Sequence, residues 1–252
     1  MMHHIQSLLK LDRWFASTTL LAILYCFLFR PITAHHIWPH PRSVELVAQF
    51  AIIDPNDFSI TSNLPHGCDV MDAAINRYRD RMFTQDCSKL DDRTAGRMLH
   101  SKKVNLDGNR DYVGPQRRLQ ITVAGACENY PYVNMNEEYE INVAHGKAAQ
   151  ISAKTVWGAL RALDTFSQML DNVGANQFRL PLGKISDAPR FSWRGLMLDS
   201  SRHFLSVRSL MQTLDSMELN KLNVLHWHVV DDQAFPFVSR SFPQLHLKGL
   251  LS

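Results

Sequence analysis

A mixed α+β region running into a parallel βαβ unit is the fold class that this 252-residue sequence predicts. Three observations carry it. "RLQITVAG", "EYEINVA" and "KAAQISA", between Arg118 and Ala153, alternate apolar and polar residues with the period of half-buried strands. Two other segments repeat apolar residues every three or four positions, as amphipathic helices do. Near the C-terminus, "RGLMLDS" and "NVLHWHVVDD" are apolar runs that end in polar tips and are separated by one helical segment. A continuous apolar run of this kind is expected of a strand covered on both faces.

The bulk numbers fit that class. Hydrophobic residues make up 45% of the chain, which is enough for an ordinary core. The formal charge of +3 comes from 27 basic and 24 acidic residues spread along the chain without a basic run. Nucleic acid is therefore excluded as a partner on electrostatic grounds.

At the N-terminus, Lys10 and Arg13 precede an apolar run from Trp14 to Phe29, followed by Arg30 and "PITAHH". The run is about 16 residues, against roughly 20 for a comfortable membrane span. It reads as a signal peptide within residues 1–34, cleaved near Ala34, with an uncleaved membrane anchor at 14–29 as the rival. Entry into the secretory pathway removes Cys26 with the leader and leaves Cys68, Cys87 and Cys127 in an oxidising compartment. Two of the three are expected to pair, and spacing alone does not choose which. The chain carries no Asn-X-Ser/Thr acceptor, which is unusual for that route.

In chain order, "SVELVAQF" and "FSITSN" read as short strands around the turn "DPND". A helix follows from Val70 to Phe83, capped by Asp69, with Met71, Ile75, Tyr78 and Met82 on one face. The polar stretch Gln85–Pro115 has no period and reads as a loop. The three alternating strands come next, then the helix "KTVWGALRALDTFSQML", whose stripe is Val156, Leu160, Leu163, Phe166 and Leu170; Trp157 and Phe166 read as core. "GKISDAPRFSWRG" breaks regularity and marks the domain boundary, giving an α+β domain at 35–190 and a second unit at 191–252. There, "RGLMLDS", a helix from Ser206 to Leu219 and "NVLHWHVVDD" form one βαβ unit, with Ser206 as cap and Val207, Leu210, Leu214 and Met217 turned inward.

The C-terminal strand ends are where a parallel unit of barrel type places its chemistry. Asp199, Ser200, Ser201, Arg202 and His203 follow the first strand, and Asp231 and Asp232 the second. Neighbouring strands lie about 4.8 Å apart, so these groups can meet. Arg202 supplies a planar donor fork and Asp231 an acceptor, a pairing that suits the vicinal hydroxyls of a sugar. Without a ligand, the same pair is a salt bridge tying two loops. His226 and His228 share a strand face, but no third ligand at useful spacing accompanies them. They read as core histidines, and no metal is expected. Asp231 and Asp232, as neighbours on a strand, point to opposite faces unless the strand end bends.

The run "RFSWRGLMLDSSRHFLSVRSLMQTLDSMELNKLNVLHWHVVDDQAFPFVSRSFPQL" closely resembles the start of the catalytic barrel in glycoside hydrolase family 20, the β-N-acetylhexosaminidases. "IWPHPRSV", "RYRDRMF" and "KTVWGALRALDTFSQML" resemble the α+β N-terminal domain of that family. The resemblance implies a (β/α)8 barrel of which this chain holds the first βαβ unit, and a glycan ending in N-acetylglucosamine or N-acetylgalactosamine as substrate. It implies that Arg202 and Asp231 contact hydroxyls of the terminal sugar, and that Cys68 pairs with Cys127. No cofactor is implied. Family members commonly form dimers, so a homo- or heterodimer of the full-length protein is expected, in lysosome, cell surface or medium.

The sequence departs from the family in one respect. Family members are similar in using the substrate's acetamido oxygen as nucleophile, an Asp that orients it and a following Glu that protonates the leaving oxygen. No Asp-Glu dipeptide occurs in this sequence, and the only Glu after Arg190 is Glu218, at the end of a helix. About 60 residues follow Phe191, whereas a barrel typically needs about 250. The expectation is an N-terminal portion of a hexosaminidase that is inactive by itself, with a non-catalytic, truncated isoform that binds a glycan or a partner as the alternative.

Overall fold

The computed structural model describes residues 37–65, 67–83, 106 and 108–249. The leader at 1–34, Cys87 and most of the polar stretch after Gln85 lie outside the described residues. Among the described residues, no helix is long and apolar enough to cross a membrane.

Strands β1 (Ser43–Ile53) and β2 (Ser59–Ser62) flank a 3₁₀ turn at Pro55–Asp57, where the Asp54 side chain accepts the Asn56 amide at 2.9 Å. Helix α1 spans Asp69–Phe83 and buries Met71, Ala74, Tyr78 and Met82, with Ile75 half-buried. Asp69 forms its first residue rather than a cap; the Met71 and Asp72 amides instead bond the Cys68 carbonyl. Strand β3 (Tyr112–Pro115) is followed by β4 (Arg118–Val123), β5 (Tyr139–Val143) and β6 (Ala149–Ala153). Helix α2 (Val156–Gln168) is capped by Thr155, whose hydroxyl accepts the Gly158 amide. Strands β7 (Asp171–Gly174) and β8 (Gln177–Asp187) complete one eight-stranded sheet. Its order is β2-β4-β6-β5-β8-β1-β3, with β7 also paired to β8.

Strict alternation of buried and exposed residues on β4 sets one face of the sheet against the helices. Helix α2 packs on β4, β5 and β6 and against α1. Val156, Leu163, Phe166 and Leu170 of its predicted stripe are buried, as is Trp157, while Leu160 is half-buried. Gly158 permits this approach, because a Cβ there would sit 2.4 Å from the Glu138 carbonyl oxygen. A disulfide joins Cys68, at the start of α1, to Cys127 beyond β4, and closes a sequence separation of 59.

Two elements depart from the sequence expectation. The stretch read as a loop up to Pro115 ends in β3, which runs parallel to β1 and is held by Phe50 N–H to Asp111 O (2.9 Å) and Gln116 N–H to Ile52 O (2.8 Å). Four residues carry too little period to be seen locally; the neighbouring strand supplies their order. Strand β8 is the second case. It contains Pro181 and Gly183, runs through the residues read as a break, and lies centrally between β5 and β1. Gly183 has φ +139°, and a Cβ there would meet the Glu45 carbonyl oxygen at 2.1 Å. The β1–β8 pairing shifts register beside it, between Leu46 and Phe50, so the glycine accommodates a bulge.

After β8 comes the βαβ unit: β9 (Gly195–Asp199), α3 (Val207–Leu219) and β10 (Val224–His228), with a short helix α4 at Leu245–Lys248. Strands β9 and β10 pair in parallel from Gly195↔Val224 to Asp199↔His228. Ser206 caps α3 by accepting the Ser209 amide at 3.1 Å. The expected burial fails here. Leu196, Met197 and Trp227 are 39%, 55% and 48% exposed, and of the four α3 residues expected inward only Met217 is buried, while Val207 is 75% exposed. Two strands and one helix enclose too little volume to cover either strand face.

Candidate functional site at the strand tips

Groups at the two ends of the βαβ unit do different work. Just before β9, Arg194 donates through both Nη2 bonds to Glu137 (2.8 and 2.6 Å), and through Nε to the Lys221 carbonyl (2.8 Å). Glu137 also pairs with Arg161 of α2 at 2.7 Å, and its side chain is 1% exposed. Just before β10, Lys221 donates to the hydroxyls of Tyr139 (2.9 Å) and Thr165 (2.6 Å) and lies 3.7 Å from Asp187. Lys221 takes φ +55° after the α3 C-cap, a left-handed conformation usual for glycine at that position. Glu218, at the end of α3, pairs with Arg77 and Arg81 of α1, both at 3.2 Å. A cavity of ≈490 Å³ opens at this junction, lined by Pro189, Phe191, Arg194 and Lys221 among others, but its buried charges are already paired with one another.

The opposite end of the strands, about 16 Å away for five residues, carries the residues that the sequence singled out. Asp199 ends β9. Its Oδ1 accepts the amides of Ser201 (3.0 Å) and Arg202 (3.1 Å), and its Oδ2 accepts Arg202 Nη1 at 3.0 Å. Arg202 Nε lies 2.9 Å from Asp231 Oδ2. Asp231 Oδ1 closes a matching turn by accepting the amides of Gln233 (3.0 Å) and Ala234 (2.8 Å). The loops are tied directly, because the Ala234 carbonyl accepts both the Asp231 amide (2.9 Å) and the Ser201 hydroxyl (3.1 Å). Trp227 Nε1 donates to Ser200 Oγ at 2.9 Å.

The structure therefore brings Arg202 and Asp231 into contact, with Arg202 58% exposed and Asp231 6% exposed at their side chains. His203 and Asp232 are exposed and outside the contact. Of the two histidines read as core, His226 is exposed, and His228 alone approaches the cluster, with Nε2 3.7 Å from Asp231 Oδ2. Both of those atoms are buried and without a hydrogen bond among the described residues; the Arg202 contact to Oδ2 is ionic and not aligned as a hydrogen bond. Among the described residues, no group of three or more His, Cys, Asp or Glu could hold a metal.

Charge reinforces this geometry. The backbone hydrogen bond from Arg202 is the chief cause that holds Asp199 below the usual carboxylate range. Desolvation would push Asp231 up, but hydrogen bonds from the Ala234 and Gln233 amides, together with the Arg202 charge, bring it below that range. Arg202 is raised, first by its bond to Asp199 and then by the Asp231 charge. The tip thus holds an ionised Asp-Arg-Asp set at neutral pH.

Sequence reasoning placed Asp199 at the tip without giving it a role, and the Asp-x-x-Arg spacing was the available signal, since a short carboxylate commonly closes a turn over the amides that follow it. The junction residues Glu137, Arg194 and Lys221 gave no local signal, because their partners are distant in sequence.

Residues 37–169 match the family model described as beta-acetyl hexosaminidase like, and residues 191–252 match the catalytic domain of glycosyl hydrolase family 20. The chain belongs to glycosyl hydrolase family 20. Its relatives include the mouse beta-hexosaminidase subunit beta, 37% identical over 223 residues, a match covering 86% of this chain and 38% of the relative. The rat beta-hexosaminidase subunit alpha is 35% identical over 241 residues, covering 94% of this chain and 42% of the relative. A chitobiase from Flavobacterium johnsoniae has a similar structure, with a TM-score of 0.61 and 29% identity over 86% of this chain and 30% of that one. The chain therefore spans about two fifths of the length of the curated relatives it matches.

Proposed function

We propose that this chain is part of a β-N-acetylhexosaminidase that removes terminal N-acetylglucosamine or N-acetylgalactosamine from glycoconjugates or chitin fragments, and that Arg202 and Asp231 bind hydroxyls of that terminal sugar. The observation that carries the site is the pair of buried atoms without a hydrogen bond, Asp231 Oδ2 and His228 Nε2, beside a half-exposed guanidinium at the strand tips. Buried polar atoms normally find partners, and a sugar hydroxyl can donate to one and accept from the other. Family membership and the hexosaminidase names of its relatives support the reaction class.

On this reading the domains divide near residue 190, and the second unit presents the sugar site while its other end is fastened to the sheet. In the mechanism that the family resemblance implies, the substrate's acetamido oxygen is the nucleophile and a carboxylic acid is the proton donor. Glu218 cannot serve, because Arg77 and Arg81 hold it at the junction. With no Asp-Glu pair in these 252 residues, the proposal is that they bind the sugar without turning it over. The disulfide supports synthesis in the secretory pathway, with the lysosome or the outside of the cell as destination.

The test is saturation-transfer NMR of the full chain with N-acetylglucosamine, run beside an aryl N-acetylglucosaminide assay. Binding that disappears in Arg202→Ala, with no turnover, is expected. Absence of binding by the wild type would overturn the site, and Arg202-dependent turnover would overturn the reading that these residues bind without hydrolysis.

A further inference from the structure

We infer that Asp199 is a positioning residue that fixes the orientation of the Arg202 guanidinium for sugar binding. The inference rests on the reading of Arg202 as a sugar-binding residue. Asp199 does two separable things with its two oxygens. Oδ1 accepts the Ser201 and Arg202 amides, which closes the turn that carries Arg202 away from β9. Oδ2 accepts Nη1 of the same residue's side chain at 3.0 Å. One carboxylate thus sets both the backbone and the fork of Arg202.

The consequence is directional. A guanidinium has three edges, and an exposed arginine with four rotatable bonds samples many orientations. Here Asp199 takes Nη1 and Asp231 lies against Nε, so the plane of the fork is fixed by one carboxylate at the end of β9 and another in the loop after β10. Neither contact uses Nη2, which remains as the donor for a hydroxyl oxygen. The ligand then does not have to immobilise the side chain itself, and preorganisation of this kind is where affinity is gained. Asp199 need not touch the sugar. Its effect passes through Arg202.

Two substitutions separate the functions of the two oxygens. Asp199→Asn keeps an oxygen for the turn but loses the carboxylate that holds Nη1. Asp199→Ala loses both. The readouts are the Nε–Hε resonance of Arg202 in the full 15N-labelled chain, assigned by its loss in Arg202→Lys, and titration with N-acetylglucosamine.

In the wild type the Nε–Hε signal should be sharp and slow to exchange. In Asp199→Asn it should broaden and exchange faster, with backbone resonances of β9 and β10 unchanged and affinity for N-acetylglucosamine reduced about tenfold, the size expected for one lost charge-assisted bond. Asp199→Ala should lose at least as much. Wild-type behaviour of Asp199→Asn in both readouts would overturn the inference and leave Asp199 as a turn residue only. A wild-type protein that shows no N-acetylglucosamine effect would sink the functional reading instead, while the Arg202 signal in the free protein would still decide whether Asp199 fixes the fork.

Discussion

Helix α2 of the sheet domain buries Phe166 and Leu163 completely, whereas helix α3 of the βαβ unit, of equal length and with its own apolar stripe, buries only Met217. The difference lies in what each helix faces. Helix α2 lies on three strands of an eight-stranded sheet and on α1. The sheet of the βαβ unit, by contrast, has only two strands. Hydrophobic burial therefore stabilises the first region, while paired charges fasten the second: Glu137 with Arg161 and Arg194, Glu218 with Arg77 and Arg81, Lys221 with Asp187. An amphipathic pattern states which side of a helix is apolar, and only the surroundings determine whether that side is covered. The βαβ unit is consequently fastened at the ends where its strands begin and left open at the tips, where the sugar site is proposed.

The sharpest way to break the comparison is to truncate one side chain in each region. Phe166→Ala removes a fully buried ring from the sheet domain and should lower unfolding stability by about 4–5 kcal/mol in urea titration. Val207→Ala, in a residue 75% exposed on α3, should change it by less than about 0.5 kcal/mol. Comparable losses at both positions would mean that α3 is covered in solution.

The fastening itself can be tested at Glu137. Glu137→Gln leaves two guanidiniums without their counter-charge at a carboxylate that is 1% exposed, a change expected to cost about 3–4 kcal/mol. The loss should be local. Amide exchange should accelerate in β9, α3 and β10 ahead of β4, β5 and β6, and uniform acceleration would show that the two regions unfold as one.

A pH dependence centred on Asp164 of α2, which is 2% exposed, is expected to be smaller than the Phe166 and Glu137 losses. Its Oδ2 accepts Gln168 Nε2 at 3.1 Å, and Oδ1 has no hydrogen bond among the described residues. Burial pushes this carboxyl from 3.8 up to about 6, against the opposing charges of Lys221, Arg81 and Arg161. The folded state therefore binds the proton more tightly than the unfolded chain. The associated stability is fully present below pH 3.8 and is lost as pH rises through about 6, on the order of 2–3 kcal/mol. Asp164→Asn should flatten that part of the curve in urea titrations from pH 4 to 7, and an unchanged slope would assign the effect elsewhere.

Much of the site was legible in the sequence because strand tips are a topological consequence. Once "RGLMLDS" and "NVLHWHVVDD" are parallel neighbours, Arg202 and Asp231 must lie close together, and they do. The role of Asp199 was present in the spacing but was not drawn from it. A histidine within an apolar run reads as core, but His226 is exposed because this strand is covered too little to bury it.

By itself the sequence determined the alternating strands, both long helices, the Ser206 cap and the polar tips, since each depends on residues within one turn or one strand of each other. Tertiary structure alone decided that Pro181 and Gly183 belong to a central strand, that Tyr112–Pro115 pairs with β1, and that Glu137 and Lys221 fasten the βαβ unit. The physical reason is range: periodicity and capping act between near neighbours in the chain, while strand order and the desolvation that makes a buried charge seek its partner depend on groups brought together from far along it, as Arg81 and Glu218 are from 137 positions apart.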